Sequence, residues 1–211
     1  MNRTERVDRI ARVLLQHARP IILESYAPNC CIASTAIALS VFRCFGIHAV
    51  PASVEMALVN RPLAARLLER SNDFPTREEV VAWEPIDGSW AMGLGFPPDS
   101  RAIGGAPTDS HWPGHLVTYV EKRLLLDLTL GQATRPDRGM TYGPSVFPLT
   151  TFSATRYLSY EAGDSGIILL RWKPDDRSYE PTPDWRRDHG PIVKRLVKIV
   201  HKEVATWTSA T

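Results

Sequence analysis

Cysteine is scarce in this chain, and what there is does not suggest pairing. Three cysteines occur in 211 residues, two of them adjacent. An odd count with that spacing is no disulfide framework and fits a reducing cytoplasm. There is no Cys-x-x-Cys, no paired zinc-ligand spacing and no phosphate-binding glycine loop. Neither a metal nor an organic cofactor is therefore expected. Charge of one sign is lacking too: the net charge is +2, which gives no drive toward nucleic acid or an anionic membrane. No apolar run approaches the roughly 18–20 residues of a membrane span. The start, Met1 to Arg9, is charged and has no apolar stretch of the kind a secretion signal needs. No internal repeat is visible.

What is present is a 44% apolar fraction, enough for a real core. The length suits one domain over 1–211, with a core at about 25–172. A helix at 2–24 and a basic helix at 190–207 are expected as additions to it. Val7, Ile10, Leu14 and Leu15 recur at helical spacing in the first of these; Ile192, Leu196, Ile199 and Val200 do so in the second. The basic residues of the last helix read as a solvated face.

The stretch from Asn29 to Gly46 is apolar on nearly every side and carries all three cysteines. A helix of that kind is normally buried and central. Asn29 is expected to cap it and Gly46 to stop it. Cys30 and Cys31 then lie in its first turn, where unpaired N–H groups and the positive end of the helix dipole favour thiolate. Cys44, mid-helix, reads as a small buried hydrophobe.

Beyond Gly46 the residues Ile47 to Val59 read as a strand, with Pro51 near an edge or bulge. Pro62 to Arg70 reads as a short helix, and Val80 to Trp83 as a second strand. Met92 to Gly114 and Gly131 to Pro148 read as loops. The strongest β signal is the hairpin His115 to Thr129, turning at Glu121-Lys122-Arg123. Another hairpin joins Arg156–Tyr160 to Gly166–Trp172 around Gly163-Asp164-Ser165. Residues 173–188 are polar and proline-rich. Two helices followed by a run of antiparallel strands make the expected class α+β.

A thiol nucleophile needs a base, and the base needs an orienting group. His115 opens the first strand of the hairpin, and Asp127 is a lone acid among leucines on the second. Burying that carboxylate is costly without a partner. With a three-residue loop, Val120 pairs with Leu124, and His115 and Asp127 fall diagonally on one face. A two-residue loop would put Asp127 on the other face. His111 is a fallback base, and Trp112 beside it suits a cleft wall.

The run from Cys31 to Gly46-Ile47 resembles the nucleophile helix of the transglutaminase-like superfamily, a Cys opening an apolar helix that ends in a Phe-Gly-Ile turn. The spacing to Gly46 selects Cys31 over Cys30. His115, Asp127 and Thr129 are similar to the second block of that family. The resemblance covers roughly 50 residues. It implies a papain-like fold, the nucleophile helix packed on an antiparallel sheet, with a Cys31–His115–Asp127 triad and the Cys31 N–H as oxyanion donor. The expected activity is acyl transfer through a Cys31 thioester, by hydrolysis or transamidation of a peptide, protein or small acyl or amide substrate. Two features depart from the family: Val117 stands where many members have Trp, and no side-chain oxyanion donor is marked among Asn29, Tyr26 and a loop Trp. Asp127 to Gln132 is also similar to the aspartate motif of the arylamine N-acetyltransferases, though Ala27-Pro28-Asn29 replaces their Arg-Gly-Gly. A third reading keeps the fold as a non-catalytic peptide- or protein-binding module.

Overall fold

The computed structural model describes residues 2–69, 75–96, 114–149, 152 and 154–208. Helix α1 (Arg3–Leu23) is started by a capping box. Asn2 accepts from the Glu5 N–H, and Glu5 accepts from the Asn2 N–H. Its apolar side, including Val7, Ile10, Leu14 and Ile22, packs with α2 (Cys31–Cys44) and α6 (Gly190–Thr208) in one core cluster. Leu196 and Val200 enter that cluster from α6.

The sheet is built on β1 (Ala49–Val59). One edge of β1 is shared end to end by β2 (Ala91–Leu94) and β3 (His115–Val120). The other edge takes β7 (Ile167–Trp172), which pairs from Val54 onward. Pro51 therefore lies where β1 has a neighbour on the β3 side only. Outside β3 come β4 (Leu124–Asp127) and β5 (Ser145–Pro148); outside β7 comes β6 (Leu158–Glu161). The order is β5-β4-β3-β1-β7-β6 with β2 also on β1, and every pairing is antiparallel. The class is α+β. The two outer strands approach each other, Tyr160 Oη donating to the Pro148 carbonyl at 3.0 Å with the Phe147 and Tyr160 rings 5.0 Å apart. The sheet is thus curled nearly into a barrel.

Several sequence expectations change. The Val80–Trp83 run is not a strand but part of α4 (Arg77–Asp87), which follows α3 (Arg61–Glu69). A Thr76/Glu79 capping box starts α4 and a left-handed Gly88 ends it, and these outweigh the β-branched run. Met92 to Leu94 and Ser145 to Pro148, expected as loop, are strand. The N-cap of α2 is Cys30, not Asn29, because the first helical bond runs from the Ser34 N–H to the Cys30 carbonyl. Cys44, expected buried, is exposed. Residues 173–188 contain one short helix, α5 (Pro183–Arg186). His111 and Trp112 lie outside the described residues. Among those described, no helix is long and apolar enough to cross a membrane.

Gly95 lets β2 and β3 share the β1 edge. Its φ is +76°, and a Cβ there would sit 2.0 Å from the Val54 carbonyl oxygen and 3.1 Å from the His115 nitrogen. Gly88 has the same φ with nothing within 4 Å. Gly88→Ala should cost about 1 kcal/mol, the left-handed penalty alone. Gly95→Ala should cost about 2–4 kcal/mol, because backbone must also move. Urea unfolding of both variants measures the difference; equal costs would mean the junction beside His115 has room to give.

Candidate active site

Three local features bring the chemistry-bearing residues together. The first is the turn of the β3–β4 hairpin. Glu121 and Lys122 take positive φ values of 49° and 55°, and the Arg123 N–H donates to the Val120 carbonyl at 3.0 Å. Arg123 is then an extra residue before pairing begins at Val120↔Leu124. Glu121 is held in this turn by Arg3 and by the His48 N–H, each at 2.8 Å from its carboxylate. The register that results is the one expected for a three-residue loop.

The second feature follows from that register. The His115 Nε2–H donates to Asp127 Oδ2 at 2.7 Å, and both side chains are essentially without solvent contact. The other carboxylate oxygen of Asp127 accepts from the Thr129 N–H at 2.8 Å and from its hydroxyl at 3.0 Å. Burial alone would lower the His115 pKa and raise that of Asp127. Their mutual attraction reverses both. With Cys31 also contributing, the imidazolium is raised from 6.5 to about 10, and Asp127, helped by Thr129, is held below its ordinary value.

The third feature is the phase of α2. Thr35 donates to the Leu116 carbonyl at 3.1 Å, fixing the helix against the residue next to His115. Cys31, one turn earlier on the same side, belongs to a buried cluster with Ile32, Leu116 and Tyr179, against which Trp185 packs. The Cys31 sulfur is close enough to the His115 ring to help raise that ring's pKa, and since Asp127 holds Nε2, the nitrogen left to face the sulfur is Nδ1. Cys30 points into the main core instead, 3.5 Å from the Ser34 hydroxyl. Burial pushes its thiol pKa up, against a smaller opposing pull from Ser34.

Cys31, His115 and Asp127 are therefore adjacent. Of the oxyanion-donor candidates, Tyr26 is engaged elsewhere, 2.8 Å from His189 Nδ1, and Asn29 is exposed. The first N–H groups of α2 have no side-chain cap. Tyr179, in the cluster of Cys31, and Trp185, packed against that cluster, were not singled out from the sequence. The only signal was an isolated aromatic pair in a polar segment. Among the described residues, no group of three His, Cys, Asp or Glu is placed to hold a metal. A cavity of about 380 Å³ lies elsewhere, in the seam between β5 and β6, walled by Tyr142, Phe147, Tyr160 and Ile168 among others. It touches none of the three residues, and no described cysteine or histidine lines it.

No family model matches the chain, and neither do the curated proteins or the solved structures compared with it.

The buried pair makes stability depend on pH. The raised His115 pKa gives a contribution that is full below 6.5 and is lost as pH rises toward 10. The lowered Asp127 pKa gives one that is present above about 3.8 and lost as pH falls through its folded value. Denaturant midpoints of the wild type should fall between pH 6.5 and 10 more steeply than those of Asp127→Asn. Parallel profiles would show that the pair carries no linked proton.

Proposed function

We propose that this protein is a thiol-dependent acyl-transfer enzyme of papain-like, transglutaminase-like architecture, with Cys31 as nucleophile, His115 as acid–base and Asp127 as its orienting group. The observation that carries the reading is the His115–Asp127 hydrogen bond of 2.7 Å, buried beside the first residue of α2. A structural histidine needs no thiol near it, and a structural cysteine needs no imidazole.

In this reading the Cys31 sulfur attacks the carbonyl carbon of an amide, ester or thioester as thiolate, its proton held on Nδ1 of the His115 imidazolium. Asp127 keeps Nε2 protonated, which fixes the tautomer and holds the imidazolium once formed. The uncapped N–H groups at the start of α2, that of Cys31 first, donate to the oxyanion. The carbonyl–leaving-group bond breaks as His115 returns its proton to the departing group, leaving a Cys31 thioester. Water or an amine, deprotonated by His115, then attacks the thioester and releases the thiol. Water gives a peptidase or amidase; an amine gives a transferase of the transglutaminase or arylamine type. The substrate class is a peptide, a protein or a small acyl or amide compound. One observation favours a non-catalytic binding module: Cys31 is only 7% exposed.

Mass spectrometry after incubation with an activated acyl ester separates the two. A catalytic site acylates Cys31 ahead of Cys30 and Cys44, and His115→Ala slows that step by about 100-fold or more. Acylation spread over the three thiols and indifferent to His115→Ala would leave only the binding module.

A further inference from the structure

Residues 173–189 connect β7 to α6, and all but two of them have solvent contact. The two buried side chains are Tyr179, 1% exposed, and His189. Each end of the segment is fastened to an element of the candidate site. At the first end the Ser53 hydroxyl donates to Asp176 Oδ2 at 2.6 Å, and the Lys173 N–H donates to the Ser53 carbonyl at 2.9 Å. Ser53 lies opposite Leu116 on β3. At the other end His189 Nε2–H donates to the Asp184 carbonyl, so its neutral ring accepts from Tyr26 Oη at Nδ1. Burial lowers the His189 pKa and keeps it neutral. Arg187 lies over the Tyr26 ring at 4.8 Å. Tyr26 is in the connector that leads into α2.

Between these anchors Tyr179 joins the small buried cluster of Cys31, Ile32 and Leu116, its ring edge-on to Trp185 with centroids 4.8 Å apart. Arg177 donates to the Tyr179 hydroxyl at 3.0 Å, which holds the polar end of the ring. A nucleophilic sulfur has to be reached by a carbonyl carbon, yet Cys31 is buried in a cluster to which this segment contributes Tyr179.

We propose that residues 173–189 are a strap whose Tyr179 ring occupies an acyl-binding subsite beside Cys31, so that the group admitted when the strap is displaced is flat and apolar, of aromatic size. The acyl role of this subsite rests on the acyl-transfer reading; its occupancy by Tyr179 does not. The walls that stay when the strap is displaced, Ile32 and Leu116, are apolar and offer contact to an aromatic group.

The test uses the full chain and three alkylating reagents of one chemistry: iodoacetamide, N-phenyliodoacetamide and iodoacetate. Labelling of Cys31 is followed by mass spectrometry and divided by labelling of the exposed Cys44 with the same reagent. Ser53→Ala removes one anchor hydrogen bond and should speed Cys31 labelling roughly three- to tenfold. Tyr179→Ala removes the buried ring and should speed it roughly 100-fold. The gain should be larger for the phenyl reagent than for iodoacetamide or iodoacetate. Cys30, in the main core, reports loss of fold and should stay unlabelled. Unchanged Cys31 rates in both variants, a rise shared by Cys30, or equal gains for the three reagents would each overturn the proposal. If the strap variants open Cys31 to alkylation while acyl esters never form the adduct, the subsite stands and the acyl-transfer reading fails. Adduct formation with unchanged access gives the reverse.

Discussion

A carboxylate with 1% exposure sits among leucines at Asp127, and much of the structure is arranged around making that tolerable. An isolated buried charge would cost several kcal/mol and would simply protonate. Here it is surrounded by three donors, the His115 ring and the backbone and hydroxyl of Thr129. Those donors reach it in one strand register only. That register needs the extra residue Arg123 and two left-handed non-glycine residues in the turn. Left-handed residues cost roughly 1–2 kcal/mol each, and the turn is held by Glu121, whose carboxylate ties α1 and the start of β1 together. The surface ion pair with Arg3 therefore stands at the end of a chain of requirements that begins in the core. A slip by one residue would turn Asp127 to the other face and leave its charge unpaired.

The long strand β1 serves the site from the other side. It carries β2 and β3 in succession on one edge, so the chain leaves that edge at Gly95 and rejoins it at His115, both beside Val54. This fixes the backbone of His115 without using its side chain. The same strand supplies Ser53, which anchors the segment over Cys31. Acid, imidazole and cover are thus referred to one buried strand, while the sulfur is referred to α2, which Thr35 locks to the same β3.

The parts legible in the sequence were those where pattern and turn chemistry agree. The β3–β4 hairpin has alternating apolar residues and a charged three-residue turn, and its register followed from asking what a buried acid requires. The cysteine helix was legible because nothing but burial suits a helix apolar all round. Its cap was misplaced by one residue, since Asn29 has the better capping side chain but Cys30 makes the first backbone bond. Val80 to Trp83 looked like a strand because a run of four apolar residues, three of them β-prone, cannot be told from a helix segment by period alone. Thr76 and Glu79, three apart, were the signal that decided it. Strand β5 was lost in a glycine-rich stretch because it is four residues long and ends in proline. Tyr179 was unreadable for a different reason: its burial comes from anchors at Ser53 and Tyr26, more than a hundred residues away, and no local pattern encodes them.

The choice between two adjacent thiols shows how little chemistry need enter such a selection. Cys30 and Cys31 share a helix terminus, its dipole and its uncapped N–H groups. Successive residues on a helix point about 100° apart, and here that angle separates two environments. Cys30 falls in the cluster shared by α1, α2 and α6, where burial disfavours its charged form. Cys31 falls toward Leu116 and the His115 ring. The phase is set by Thr35, one turn along from Cys31, through its bond to the Leu116 carbonyl. Which of the two sulfurs faces the imidazole is then set by a hydroxyl whose own hydrogen bond goes to the neighbouring strand.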